Sequence, residues 1–269
     1  MMETNAEVWW GNYAIKIGAS AQWEFPRLHT GVQRLAHEWV IAYETTESDN
    51  DEGPWRFSYS DLDLDQSQFS SIARYVFRAT SEQLTILPLL ADRAVVSRPY
   101  TQFTVPAGEA TTIFVGTPLW FALAGEPGGI VFEIPIRRPS DTWFGPSTRE
   151  GELAYASRTS GRLNLENITV SPYVAITEVH IHNGSSTPLL VERLNLPVPF
   201  LSLFQTEEGN LYTERVTFEQ TEGTSLTKFH MEEAHLALKN GAKLIARPRQ
   251  SPHKGMLVRA FEVLKLQGF

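Results

Sequence analysis

The stretch from Arg137 to Glu152 gathers three arginines, two aromatic residues and three carboxylates into sixteen residues with no strand or helix period. Forked guanidinium groups at Arg137, Arg138 and Arg149 are suited to clamping a carboxylate or phosphate. Trp143 and Phe144 can supply the stacking floor, since Trp and Arg carry much of the energy at buried contact points. Asp141, Glu150 and Glu152 can serve as general acid or base where burial raises their proton affinity. A plainer reading stands beside this one. Trp143 and Phe144 fill a seam between two domains, the charges pair with one another, and Ser147 with Glu150 forms a helix capping box. The eight residues Arg137, Arg138, Asp141, Trp143, Phe144, Arg149, Glu150 and Glu152 are the candidate binding set.

Two further constellations resemble metal sites and fall short of them. His180-Ile181-His182 places two imidazoles on one face of a strand, because side chains alternate. That spacing can supply two metal ligands. A cupin-like pattern needs a glutamate four or five residues later, where Ser186 and Thr187 stand, and a glycine six residues before His180, where Val174 stands. Glu192, on the strand expected to pair with the histidines, is the remaining third donor. Asp61-x-Asp63-x-Asp65 opens like a calcium loop, but Gln66 replaces the required glycine and Ile72 the bidentate glutamate. Both read as polar surface, and no metal is expected. With no glycine-rich phosphate loop, nucleophile elbow or zinc-binding helix signature, no cofactor is expected either.

Bulk properties narrow the classes. The chain of 269 residues carries a formal charge of −8, which argues against nucleic acid as a partner. The charge is concentrated: Glu44 to Asp65 holds eight acidic residues against Arg56 alone. Ala237 to Phe269 leans basic. The absence of cysteine excludes disulfides, thiolate metal sites and a thiol nucleophile, and fits a reducing cytoplasm. The first eighteen residues lack the apolar core of a signal peptide. The longest uncharged run, Ala110 to Gly125, is broken by Gly116 and Pro118, so no transmembrane segment is expected.

These candidates need elements to position them, and the dominant period is two, the mark of half-buried strands. Tyr13–Ile17, Glu38–Glu44, Tyr75–Phe77, Leu84–Leu87, Thr101–Val105, Thr111–Val115 and Ile130–Ile134 read as strands. Residues 45–72 lose the pattern and read as an acidic surface loop. Further on, Glu152–Arg158 and Arg162–Asn167 flank Ser160-Gly161 as a tight hairpin. Ala175–His182 and Leu189–Asn195 flank Asn183-Gly184, and Leu201–Gln205 and Leu211–Phe218 flank residues 207–210. Ser225–Met231 reads as one more strand. From Met256 the apolar residues Leu257, Ala260, Phe261 and Leu264 share a helical face, so a short C-terminal helix is preferred over a last strand. Turn signals about every ten residues favour β-sandwich packing. The expected architecture is mostly β: two antiparallel β-sandwich-like domains, 1–136 and 137–269, with a terminal helix.

Residues Arg138 to Gly151 resemble the central signature of a prokaryotic family defined as a domain of unknown function, number 432. Ala91–Val96 and Glu192–Pro199 are similar to the same family, and the resemblance runs from Trp9 to about Phe218. It implies a prokaryotic origin and carries no activity, ligand or catalytic residue.

The residues therefore support a soluble, cytoplasmic, non-catalytic binding or adaptor protein. Its expected partners are another protein or a small anionic ligand, and not nucleic acid. The alternative is a hydrolytic or carbohydrate-active enzyme with its site in the 137–158 loop.

Overall fold

Alternation of apolar and polar side chains produces strands such as Val174–Asn183 and Arg215–Gln220, and continuous apolar runs buried on both faces produce others, such as Trp120–Ala124. The computed structural model describes residues 2–3, 8–46, 53–125, 129–147, 149–157, 161–222, 226–232, 241–251 and 256–261. The described helical segments are three short 3-10 turns, at Gln66–Gln68, Leu165–Asn167 and Val198–Phe200. No described helix is long and apolar enough to cross a membrane. The chain divides into two compact units, 1–89 with 120–138, and 90–119 with 139–269.

The first unit holds two antiparallel sheets. Six strands run in the order Met2–Glu3, Arg56–Ser60, Ser20–Glu24, Leu28–Arg34, Glu38–Thr45 and Ser71–Val76. Four run in the order Ile130–Pro135, Trp120–Ala124, Gln83–Leu89 and Gly11–Ala14. Aromatic rings join the two sheets: Trp23 meets Phe121 at 5.3 Å and Tyr43 meets Phe132 at 5.5 Å between centroids. The buried Arg34 side chain donates to Thr80 Oγ1, Thr80 O and Ile15 O, so its desolvation is compensated by hydrogen bonds. The acidic loop expected over 45–72 is interrupted by the strand Arg56–Ser60, whose Phe57 is buried against Trp23. The charges around it had hidden that short alternation.

The second unit is built on Val174–Asn183. This strand pairs antiparallel with Ala110–Pro118 on one side, and parallel with Leu211–Tyr212 and Arg215–Gln220 on the other. Leu203–Gln205 and Leu211–Tyr212 form the antiparallel hairpin expected around residues 207–210. A separate four-stranded sheet runs Ser140–Phe144, Glu152–Ala156, Val95–Ser97, Leu194–Leu196, and its central pair is parallel. The parallel pairings depart from the all-antiparallel expectation.

Three local expectations are corrected. Glu152–Ala156 takes Ser140–Phe144 as its antiparallel partner. Gly161 and Arg162 bridge instead to Pro99 and Phe114, and residues 158–160 lie outside the described set. Second, Val174–Asn183 and Leu189–Val191 do not pair with each other; Leu189–Val191 pairs with Phe103–Val105. The cause is Asn183, fully buried, whose amide donates to the carbonyls of Val105, Pro106 and Thr187 and turns the chain toward that strand. Third, the C-terminal helix is not seen. Leu257–Val258 is a strand on Thr227–Lys228, and Leu194 bridges to Phe261. An existing sheet edge offers these residues ladder bonds without the nucleation cost of a short helix. Residues 262–265, the remainder of that expected helix, lie outside the described set.

Replacing the buried Trp23 by alanine should cost about 3–5 kcal/mol of folding free energy, the usual toll for emptying a large aromatic site. Chemical denaturation followed by far-ultraviolet circular dichroism measures it. A loss below 1 kcal/mol, on the same scale, would show that the aromatic cluster does not hold the unit together.

Candidate functional site

The segment expected to be an irregular loop is largely a hairpin, and its faces sort the candidate residues. In the register Asp141↔Tyr155, Trp143↔Leu153 and Phe144↔Glu152, alternation puts Asp141, Trp143, Leu153 and Tyr155 on one face. Thr142, Phe144, Glu152 and Ala154 share the other. Phe144 is fully buried beside Val96 and Ala154, with the Arg193 guanidinium 5.1 Å from its ring. Asp141 and Glu152, two of the three carboxylates considered for acid–base work, therefore leave opposite faces of the hairpin, and the third, Glu150, is exposed in the turn.

The connecting turn is tightly built. The Trp143 indole N–H donates to the Ser147 carbonyl at 2.8 Å, and the Ser147 hydroxyl accepts from the backbone N–H groups of Arg149 and Glu150. Ser147 thus makes the bonds of a helix cap with no helix following. A Cβ on Gly151 would lie 2.6 Å from Trp143 Nε1 and 2.7 Å from the Phe144 carbonyl, so the indole can rest there only against glycine. Arg149 and Glu150 are exposed in this turn. Arg137, half-buried, and Arg138, exposed, belong to the first unit.

A cleft of about 490 Å³ opens within the second unit. Of the eight candidate residues, Glu152 lines it, with Asp92, Arg93, Asn195, Gln250 and Arg259 supplying the other polar groups. Its apolar lining includes Leu153, 49% exposed, and Leu257, 55% exposed. The volume lies within the range of small-molecule sites. Asn195 is 2% exposed, and its Nδ2 donates both to Glu152 Oε1 and to the Arg259 carbonyl at 3.1 Å. Two acceptors at one end establish which end of the amide is nitrogen. The opposite end, Oδ1, is buried without a hydrogen-bond partner.

Beside the cleft a second network holds Arg93 in place. Its Nη1 lies 3.2 Å from Asp141 Oδ1, its Nε 3.9 Å from Asp92 Oδ2, and its guanidinium 5.2 Å from the Tyr155 ring. The Tyr155 hydroxyl donates to Asp92 Oδ1 at 2.9 Å. Burial pushes the Tyr155 hydroxyl up to about 12, helped by the Asp92 carboxylate that accepts its proton and would repel a phenolate. Sequence reasoning did not name Asp92, Arg93 and Asn195 as site residues, although all three lie in stretches that carry the family resemblance. They stand 43 to 63 residues from their partners Glu152, Asp141 and Tyr155, with no motif spacing to connect them.

The other sequence candidates disperse. His180 and His182 do share a face, with His180 Nδ1 3.3 Å from Thr112 Oγ1, but Glu192 is not on a strand paired with theirs. Among the described residues no group of three His, Cys, Asp or Glu is placed to hold a metal ion. Asp61 pairs with Lys16, Asp63 accepts from Gln33, and Asp65 caps Gln66–Gln68. The three carboxylates thus serve three different partners.

The three stretches that carry the family resemblance, 91–96, 138–151 and 192–199, contribute Val95–Ser97, Ser140–Phe144 and Leu194–Leu196 to one sheet. A family model described as "Protein of unknown function (DUF432)" matches residues 9–265. No curated protein and no solved structure matches the chain.

Because the pKa of Tyr155 is raised in the folded protein, the stability it contributes is fully present below about pH 10, where both states are protonated. Between about 10 and 12 the unfolded chain loses the proton first, so stability declines through that window. A spectrophotometric titration of the phenols should show a component near 12 that is missing in Tyr155→Phe. Persistence of that component in the variant would assign it elsewhere, Tyr13 and Tyr212 being raised as well by burial.

Proposed function

Since the chain belongs to the family of unknown function DUF432, whose description assigns no activity, we propose from its geometry that it is a non-catalytic binding protein. Its ligand site is the cleft of the second unit. One observation carries this reading: a cleft of about 490 Å³ brings Glu152, Asp92, Arg93 and Arg259 together with the half-exposed Leu153 and Leu257, and the buried Asn195 amide fixes the Glu152 carboxylate there. A concave site with a few convergent polar groups on an apolar lining is the form that small-molecule sites take. Segments with the family's signature meet around it, and the Arg93 network holds the neighbouring charge in place.

Two β-sandwich-like domains would be a fitting scaffold, because loops and edges on rigid sheets are where binding groups collect. Work in a reducing cytoplasm agrees with the lack of cysteine. The enzymatic alternative calls for two carboxylates flanking one bond. Asp141 and Glu152 face apart and Glu150 stands exposed in the turn, which favours binding over hydrolysis.

Thermal unfolding in the presence of a broad library of small metabolites tests it. A ligand at about a hundredfold excess over its Kd should raise the Tm by about 5 °C or more. The same compound should leave Leu153→Trp unmoved, because the larger ring fills the cleft from a half-exposed position. A library that shifts nothing, or a shift that survives in Leu153→Trp, would remove the cleft as the ligand site.

A further inference from the structure

We propose that the open edge of the strand Ser71–Val76 is a homodimer interface, where a second copy of this chain adds the same strand antiparallel across a twofold axis. This surface belongs to the first unit and is independent of the cleft.

The backbone gives the first support. Ser71–Val76 ends the six-stranded sheet and pairs on one side with Glu38–Thr45. The Phe77 N–H bonds to the His37 carbonyl at 2.8 Å, and alternation along this antiparallel register makes residues 71, 73 and 75 bond inward as well. The N–H and C=O groups of Ile72, Arg74 and Val76 therefore point away from the sheet, and among the described residues no strand pairs with that side. The unit's other three sheet edges are blunted. Met2–Glu3 is two residues long, Gly11–Ala14 starts at a glycine with φ 130°, and Ile130–Pro135 carries a register shift and ends in proline. Ser71–Val76 has six residues with no glycine, proline or lysine, and such an edge is a ready template for another strand.

The side chains give the second. Val76 is 77% exposed and Ile72 47%, on the face they share with Arg74. One antiparallel register sets Ile72 of each copy opposite Val76 of the other, with the twofold axis at Arg74. Cross-strand pairs of β-branched residues then form at both ends of the ladder. A shift of two residues in either direction sets one of these apolar side chains opposite Arg74 instead.

Charge selects a second copy as the occupant. At the N-terminal end of the edge stands a carboxylate, since Glu44 Oε2 accepts from the Ser70 N–H at 2.8 Å. At the C-terminal end stands the exposed Arg78. Antiparallel pairing about Arg74 brings residue 70 of one copy opposite residue 78 of the other, so acid meets base at both ends. At the centre each Arg74 holds Glu38 at 3.0 Å, which offsets the approach of the two guanidinium groups. The edge is thus complementary to itself in backbone, apolar contacts and charge.

Sedimentation velocity of the full-length chain tests this, with amide exchange followed by NMR on the same samples. The wild type is expected to be a dimer that dissociates on dilution. The amides of Ile72, Arg74 and Val76 should exchange about tenfold faster or more once it does. Ile72→Lys combined with Val76→Lys sets like charges opposite one another at both ends and is expected to be monomeric, with its circular dichroism unchanged because both positions are exposed. Ile72→Glu combined with Val76→Lys sets opposite charges there and is expected to recover the dimer. A wild-type chain that stays monomeric up to about 1 mM, where even weak association registers, overturns the proposal. So does a dimer that survives the double lysine exchange, or a charge-swapped pair that associates no better than that variant. Edge amides that exchange alike before and after dilution overturn it too. A monomeric chain whose edge amides gain protection only on adding a cell extract would assign the edge to another protein, and the second copy falls as its occupant.

Discussion

The side-chain amide of Asn195 ties together three segments that lie far apart in sequence. It donates to Glu152 at the start of one strand and to the carbonyl of Arg259 in the last described segment, while its own strand pairs with Val95–Ser97. The Asn195 backbone N–H adds a bond to the Ala260 carbonyl at 2.9 Å. A charge-assisted bond to a carboxylate contributes roughly 1.5–3 kcal/mol, and burial of the unpaired oxygen costs about 1–3 kcal/mol. The two terms are comparable. Folding alone gains little from an asparagine here over an apolar residue of its shape. What the asparagine does supply is a fixed direction for Glu152, and that directs attention to the cleft rather than to the core.

The same division of labour appears in the hairpin beside it. Phe144 and Ala154 face inward and anchor the pair of strands, while Asp141 and Tyr155 face outward and hold Arg93. The turn joining them is kept narrow by Ser147 and by the glycine under the Trp143 ring. Exposed ion pairs such as Arg93–Asp141 contribute little to stability. Their consequence is positional: a guanidinium held by two carboxylates and a ring face does not sweep through the cleft.

Strand existence was legible in sequence because period two survives where one face is buried, as in Val174–Asn183 and Arg215–Gln220, and because aromatic and β-branched residues mark Glu38–Thr45, buried on both faces from Trp39 to Ala42. Pairing was less so. Asn183-Gly184 has the composition of a two-strand hairpin, yet buried bonds from the Asn183 amide send the following strand to a distant partner. The stretch 137–152 looked aperiodic because a seven-residue turn, Gly145 to Gly151, separates two five-residue strands, each too short to declare a period. Of the cleft, Glu152 was recognised by its charge in an unusual segment. Asp92, Arg93 and Asn195 were not, since nothing local distinguishes a carboxamide that will be buried against a carboxylate from one on a surface loop. The parallel pairing that brings Val95–Ser97 beside Glu152–Ala156 is a long-range event with no sequence period of its own.

The wall of the cleft shows why such a site would be preformed. Met256 to Phe261 is held at one end by pairing of Leu257–Val258 with Thr227–Lys228 and by the Phe229 N–H on the Met256 carbonyl. At the other end it is held by Asn195, by the Leu194–Phe261 bridge and by burial of Phe261 against Phe218 at 5.8 Å. Leu257 lies between these anchors and faces the cleft. A segment pinned at both ends loses little further entropy when a ligand arrives, so contacts made there are not spent on ordering the wall. An exposed leucine on an unpinned strand would be a surface accident. Pinned, and lining one cleft with Leu153, it presents a fixed apolar surface there.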